Sequence, residues 1–489
     1  MTVRFLILIL LSAVLAVTSA PATADAASPL RTAIYDPYAF EGPEASLAFA
    51  RTKAAGASAA RLSVAWGGIL PAGDERPPAF DASNPADPLY RWERLDRQVR
   101  LATAGGMDPI LSLYAPPRWA QKPIPGSSGN RPDVDEFRQF ATAVARRYSG
   151  SFGDLPRVRY WQVWSEPNLR PFLAPQSENG RSTSPAIYRD LVNAMADAVK
   201  QVHPDNLVVA GGLAPFSLDT TSGDFVTPPL RFMRELLCIK GRVRPRATCA
   251  DRTRFDIWST HPYTTGGPTQ SAFRPDDVSL GDLPEMRRVL QAADRSNRIV
   301  APRRVPFWVT EFSWDTSPPD PGGVPLRLHA QWVSEAMYRM WRSGVSLVTW
   351  FLLVDRPHVS GGDFALEYQS GLFFRGSDRL ADATPKPALA AFRFPFVALV
   401  DSDRVNVWGR APGGRAVRVV VERRASGRWA RVVALKTDAG GIFQRRLRRR
   451  PATAYRARIV GPSGARSVSF SLKRAVDRRY NPFGGLRPK

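Results

Sequence analysis

The chain has 489 residues, 44% of them hydrophobic and 10% aromatic, with 68 Lys+Arg against 44 Asp+Glu and only 2 Cys. That composition excludes a disordered chain and a disulfide-framed miniprotein, and the length suggests more than one domain. The net charge of +24 is uneven: Asp401 to Lys489 holds 23 basic and 5 acidic residues, so +18 lies in the last 89 residues and +6 in the first 400.

The first 26 residues read as a secretory signal. Arg4 is the only early charge, Phe5 to Val17 is apolar, and small residues follow in Thr18-Ser-Ala20 and Ala24-Asp-Ala26. A retained anchor helix is the alternative, but the run falls short of the roughly 20 residues a span needs. The expected location is therefore secreted, extracellular or cell-envelope associated, with no transmembrane span after cleavage.

Residues 27–400 alternate short β-rich runs with longer amphipathic stretches. The predicted strands are Thr32–Asp36, Ala60–Trp66, Pro109–Tyr114, Arg159–Trp164, Leu207–Gly211, Phe255–Thr260, Pro306–Thr310 and Ser346–Phe351. Most are continuous apolar runs, as expected of strands buried on both faces. Val134–Tyr148, Pro185–Val202 and Arg327–Arg342 carry helical periodicity. Eight such units predict an α/β fold, a (β/α)8 barrel. A doubly wound open sheet is the competing architecture, and neither GxGxxG nor GxxxxGK occurs to support it.

Cys238 and Cys249 lie in a basic, Pro-containing stretch and predict one local disulfide; no histidine stands near them at metal-ligand spacing, so no metal site is expected. Residues 401–473 change character. Asp403–Trp408, Ala416–Arg423, Trp429–Thr437, Phe443–Leu447, Ala454–Val460 and Ser467–Leu472 alternate apolar and polar, split by turns such as Asp438-Ala-Gly-Gly441. They predict a small antiparallel β-sandwich, followed by a flexible basic tail over 474–489. Its charge suits anionic cell-envelope polymers, unless the arginines simply form a solvated surface. Nucleic acid is not expected, given the leader and the lack of interleaved aromatic and basic motifs.

Two glutamates concentrate the chemistry. Glu166 follows Trp161-Gln-Val-Trp164-Ser165 and precedes Pro167-Asn168; Glu311 follows Phe307-Trp-Val-Thr310 and precedes Phe312-Ser-Trp314. Each stands just past the carboxyl end of a predicted strand, where barrel enzymes hold their reactive groups. Aromatic neighbours raise a carboxyl pKa, which suits Glu166 to general acid work. A carboxylate nucleophile must stay ionised, and Arg61 and Tyr263 are candidate partners for Glu311. His261 is either a sugar contact or a satisfied structural group. Trp350 is a candidate platform for a sugar ring, with Trp66, Trp119 and Trp314 as weaker ones.

These residues resemble those of clan A retaining glycoside hydrolases, near family 39, family 5 and their cellulase-type relatives. The resemblance covers roughly residues 30–400. It implies an acid/base at Glu166 after strand 4 and a nucleophile at Glu311 after strand 7. It also implies supporting roles for Arg61 in strand 2, Tyr263 after strand 6 and Trp350 in strand 8. Gly371-Leu-Phe and Pro385-Lys-Pro387 match the segment leading to the last helix. One position departs: Ser165 stands where the clan has an Asn that binds the sugar 2-hydroxyl, and Asn168 is a candidate substitute. The expected activity is retaining hydrolysis of a poly- or oligosaccharide by double displacement without a cofactor, the two carboxyl groups standing about 5–5.5 Å apart. The alternative is a carbohydrate-binding or cell-wall-associated protein whose barrel has weakened activity.

Overall fold

A computed structural model describes residues 29–123, 130–216, 226–241, 246–358, 362 and 364–472. The leader over 1–26 and the tail over 474–489 lie outside the described residues.

Eight parallel strands close into a barrel in sequence order. They are β1 (Arg31–Tyr35), β2 (Ala59–Ala65), β3 (Asp108–Tyr114), β4 (Tyr160–Val163), β5 (Leu207–Leu213), β6 (Ile257–Thr260), β7 (Phe307–Val309) and β8 (Val345–Phe351). A helix follows each: α1 (Ala45–Ala54), α2 (Glu93–Ala104), α3 (Val134–Arg147), α4 (Ser184–Val202), α5 (Pro229–Leu236), α6 (Leu283–Arg295), α7 (Leu326–Arg342) and α8 (Pro387–Arg393). The fold is thus a (β/α)8 barrel. The continuous apolar strands arise because both faces are covered, one by the lumen and one by the helices. α3 illustrates the helix layer. Asp133 caps it by accepting from the Asp135 and Glu136 amides, and Phe137, Phe140, Ala141 and Val144 turn inward. Phe140 stacks on Trp66 at 4.9 Å between ring centroids.

The period of two along each strand divides the lumen into layers. Ala33, Ala59, Ile110, Val209, Ile257, Trp308 and Leu347 fill the lower layer. Two positions further along β2 and β3, Arg61 and Ser112 replace these apolar groups, and Gln162, Ser259 and Thr310 join them in a buried polar layer. At Gly211, φ is +96° and an added Cβ would lie 2.1 Å from the Ser259 carbonyl oxygen. A side chain there would push β5 and β6 apart at the level of this layer.

The second unit is antiparallel. One sheet has the order β9 (Phe396–Asp401), β10 (Arg404–Arg410), β13 (Ile442–Arg448); the other has β12 (Arg428–Lys436), β11 (Arg418–Ala425), β14 (Ala454–Ile459), β15 (Phe470–Ser471). Buried Val405, Val407, Val419, Val421 and Tyr455 make its core. The sequence reading missed β9, because its run Phe396-Val-Ala-Leu-Val400 follows α8 directly and lacks alternation. Trp408 seats this unit on α7, with ring centroids 5.4 Å from Tyr338 and 5.5 Å from Trp341. Cys238 and Cys249 form the expected disulfide, with Cα atoms 5.3 Å apart. Among the described residues no helix is long and apolar enough to cross a membrane.

The segment after β8 is held by a buried ion pair. Lys386 Nζ donates to Asp355 Oδ1 at 2.6 Å, to Thr316 Oγ1 at 2.7 Å and to the Gln369 carbonyl at 2.9 Å. The two charged side chains are 0% and 1% exposed. Burial raises the Asp355 carboxyl and lowers the Lys386 ammonium from their usual values, so each charge depends on the other. Lys386→Met leaves a carboxylate unpaired in the interior. We expect it to cost about 3–5 kcal/mol in denaturant unfolding; a loss below about 1 kcal/mol would contradict this role for the pair.

Candidate active site

β4 ends at Val163, and the chain turns sharply through Trp164 and Glu166, whose φ angles are +63° and +47°. Non-glycine residues adopt this left-handed region at a cost, and such strain collects at functional sites. The turn is over-determined. The Trp164 amide donates to the Leu113 carbonyl at 2.8 Å, and the Glu166 amide donates to the Gly212 carbonyl at 2.9 Å. Asn168 pins it to the loop after β5: Oδ1 accepts from the Ala214 amide at 2.9 Å, and Nδ2 donates to the Ala214 carbonyl at 3.1 Å. Asn168 is fully buried. Both ends of its amide are committed to backbone, so it is not placed to substitute for a substrate-binding Asn.

Glu311 stands two residues past β7. Arg61 Nη1 donates to its Oε2 at 2.7 Å, and the Tyr263 hydroxyl donates to its Oε1 at 2.9 Å. Arg61 Nη2 donates to Ser165 Oγ at 3.1 Å and to Ser112 Oγ at 3.4 Å. The guanidinium also lies 4.4 Å from the centre of the Tyr35 ring. The costly arginine in an apolar strand is therefore paired, as its position in β2 suggested. Burial acts against its charge, but Tyr35 and Glu311 together keep its pKa above the usual value.

Glu166 has a different environment. Its side chain is 17% exposed and that of Glu311 is 16% exposed, so both reach the mouth while remaining mostly enclosed. Burial pushes the Glu166 carboxyl up to about 7, against a smaller opposing pull from Arg61. Its contact is neutral: His261 Nδ1 lies 3.0 Å from Glu166 Oε1, and His261 Nε2 lies 3.2 Å from Thr310 Oγ1. Burial drives His261 down to about 3, with Glu311 and Arg61 pulling in opposite directions. The imidazole is thus uncharged at ordinary pH and bridges the residue before Glu311 to Glu166.

Glu166, Glu311, Arg61, Ser165, His261 and Tyr263 come together at the carboxyl ends of the strands. Trp350 does not join them. It is 1% exposed, its indole Nε1 donates to the Ser370 carbonyl at 2.9 Å, and its ring packs against His329 and Phe392 outside the barrel. Side-chain parity explains this: Leu347 faces the lumen, so Trp350 three positions later faces the helices. Phe351 faces the mouth instead, between Tyr35 at 5.5 Å and Tyr368 at 5.2 Å. Tyr368 also senses both carboxylates electrostatically. The sequence reading missed these three rings, although the predicted strand Ser346–Phe351 already contained Phe351 and its period of two sets Phe351 on the opposite face from Trp350. Trp66 and Trp314 are buried in the core, and Trp119 packs edge-on to Trp66 at 5.7 Å. Cys238, Cys249 and Asp251 lie close enough to hold a metal, but the disulfide leaves no thiolate to do so.

No protein-family model matches the sequence, and no curated protein is similar to it. Several solved structures resemble it, each with a TM-score below 0.5. A family 39 glycoside hydrolase from Bacteroides cellulosilyticus has a TM-score of 0.49 at 16% identity, over 86% of this chain and 81% of that one. A GH5_18 protein from Streptomyces cattleya, solved with GlcNAc, has a TM-score of 0.47 at 19% identity, over 75% and 79%. A GH30 endoxylanase from Clostridium papyrosolvens has a TM-score of 0.45 at 12% identity, over 86% and 95%. These are similarities of fold.

Proposed function

We propose that this protein is an exported retaining glycoside hydrolase acting on a poly- or oligosaccharide. The observation that supports this most is the contrast between its two mouth carboxyl groups. Glu166 is buried against a neutral imidazole and pushed up to about 7, whereas Glu311 is held by the Arg61 guanidinium and the Tyr263 hydroxyl. One group is poised to give up a proton near neutral pH, and the other receives hydrogen bonds from a guanidinium and a hydroxyl.

In the first step Glu311 attacks the anomeric carbon as the glycosidic C–O bond breaks, and the Glu166 proton passes to the leaving oxygen. A covalent glycosyl ester forms on Glu311. Glu166, now a carboxylate, takes a proton from water; that water attacks the same carbon and releases Glu311. His261 fits both half-reactions in one tautomer. With Nε2 accepting from the Thr310 hydroxyl, Nδ1–H donates to Glu166 Oε1 and leaves Oε2 to carry the travelling proton. Ser165 accepts from Arg61 and retains its own hydroxyl proton, which suits a contact to the sugar. The sequence from 1 to 26 supports export, and the basic unit after residue 400 suits contact with anionic envelope polymers. Ser165 also favours a second reading, a carbohydrate-binding barrel with reduced activity.

A panel of aryl glycosides and polysaccharides distinguishes the two. The first reading predicts hydrolysis of at least one substrate, with kcat/KM falling as pH rises through about 7, where Glu166 loses its proton. Glu311→Gln should abolish turnover. Glu166→Gln should spare the first step only for substrates whose leaving group needs no proton. Binding without turnover across the panel would favour the second reading.

The same titration is linked to stability. The Glu166 carboxyl is raised in the folded chain, so its contribution is intact below about 4.5 and is lost as pH rises through about 7. We expect Glu166→Gln to gain stability relative to the wild type between these values, by up to about 3 kcal/mol. Equal melting shifts at pH 4 and pH 8 would show that Glu166 is not held protonated by burial.

A further inference from the structure

A second cleft, of about 1270 Å³, opens at the opposite end of the barrel between its floor and the antiparallel unit. Its barrel wall comes from the amino ends of the strands, including Arg31, Tyr160, Leu207, Ile257 and Trp308. The charge of its lining is one-sided, with seven arginines and a single acidic residue, Asp294. We infer that this cleft binds an anionic polysaccharide, at a site remote from the catalytic mouth.

The arginines come from separate elements. Arg287 lies on α6, Arg303 and Arg304 precede β7, Arg342 ends α7, and Arg445 and Arg446 lie on β13. Both domains therefore contribute to one positive trough. Part of this charge lacks an internal counterion: among the described residues no carboxylate pairs with Arg287, Arg303 or Arg445, whereas Arg31 pairs with Asp108 and Arg446 with Asp401 at 3.2 Å. Arg287 spends one nitrogen on the Ser343 carbonyl at 3.0 Å. Burial and the like charge of Arg304 lower its pKa from the usual value. Gathering guanidinium groups without carboxylates is unfavourable until an anion arrives, and their forked donors match carboxylates.

Two features favour a glycan over a small anion. The positive groups come from several separate elements of both domains around one large cleft, which suits repeated charges on a chain. Half-buried Trp341 also lines the cleft, an aromatic side chain of the kind that takes the apolar face of a sugar. The chain's own C-terminal segment has the wrong sign to fill the cleft: residues 473–489 carry six basic groups and one acidic.

The test is equilibrium binding of the full chain to polygalacturonate, with neutral dextran and a DNA duplex as comparison arms. The cleft substitutions leave the mouth intact, so a loss of binding that they cause is independent of the proposed hydrolase activity. We expect binding to polygalacturonate and none to dextran. Arg303→Glu/Arg445→Glu should weaken it by roughly tenfold or more, and the milder Arg303→Gln/Arg445→Gln by a smaller factor. Arg428→Glu/Arg431→Glu, on exposed β12 away from the cleft, changes net charge equally and should cost no more than about twofold. Equal losses from the cleft and β12 pairs, absence of binding, or tighter cleft-dependent binding of the duplex would overturn the inference.

Discussion

A buried arginine inside the barrel organises the mouth. Arg61 is almost wholly enclosed, and an unpaired cation in that position would cost several kcal/mol. Its charge is met by Glu311 from the end of β7, a strand that is not its neighbour in the barrel. Its other terminal nitrogen, Nη2, reaches Ser112 on β3 and Ser165 after β4. One guanidinium thereby fixes the positions of three walls, and the nucleophile candidate is also the counterion that the interior requires.

The difference between the two glutamates follows from that arrangement. Glu311 has direct contact with the cation and with Tyr263, while Glu166 feels Arg61 more weakly and meets only a neutral imidazole. Burial then dominates at Glu166. Strain and packing keep the asymmetry in place: Glu166 sits in the left-handed region, its amide is held by Gly212, and Asn168 anchors the following loop. Ser165 belongs to the same network, because its hydroxyl shares the Arg61 Nη2 donor with Ser112.

Much of this was legible in the sequence because it depends on local rules. Strands covered on both faces write themselves as continuous apolar runs, so all eight barrel strands could be found. Arg61 stood out for the same reason, as a cation in such a run. What depends on parity or on distant partners was harder to read. The end of β8 was read correctly at Phe351, but which of its two faces meets the lumen is set by the barrel, and it brings Phe351 to the mouth in place of Trp350. Asn168 looked chemical until the backbone of the β5 loop claimed both ends of its amide. The basic charge after residue 400 was plain, but its meeting with arginines from α6, α7 and the approach to β7 is a product of domain docking, which no local pattern records.

The central claim is that Glu311 becomes covalently attached to sugar. Incubation with activated 2-deoxy-2-fluoro glycosides slows the second step more than the first, and mass spectrometry of the digested protein then locates the adduct. The account predicts one glycosyl group on the peptide containing Glu311, absent from Glu311→Gln. An adduct on another residue, or none on a protein that turns over the corresponding unfluorinated substrate, would contradict it.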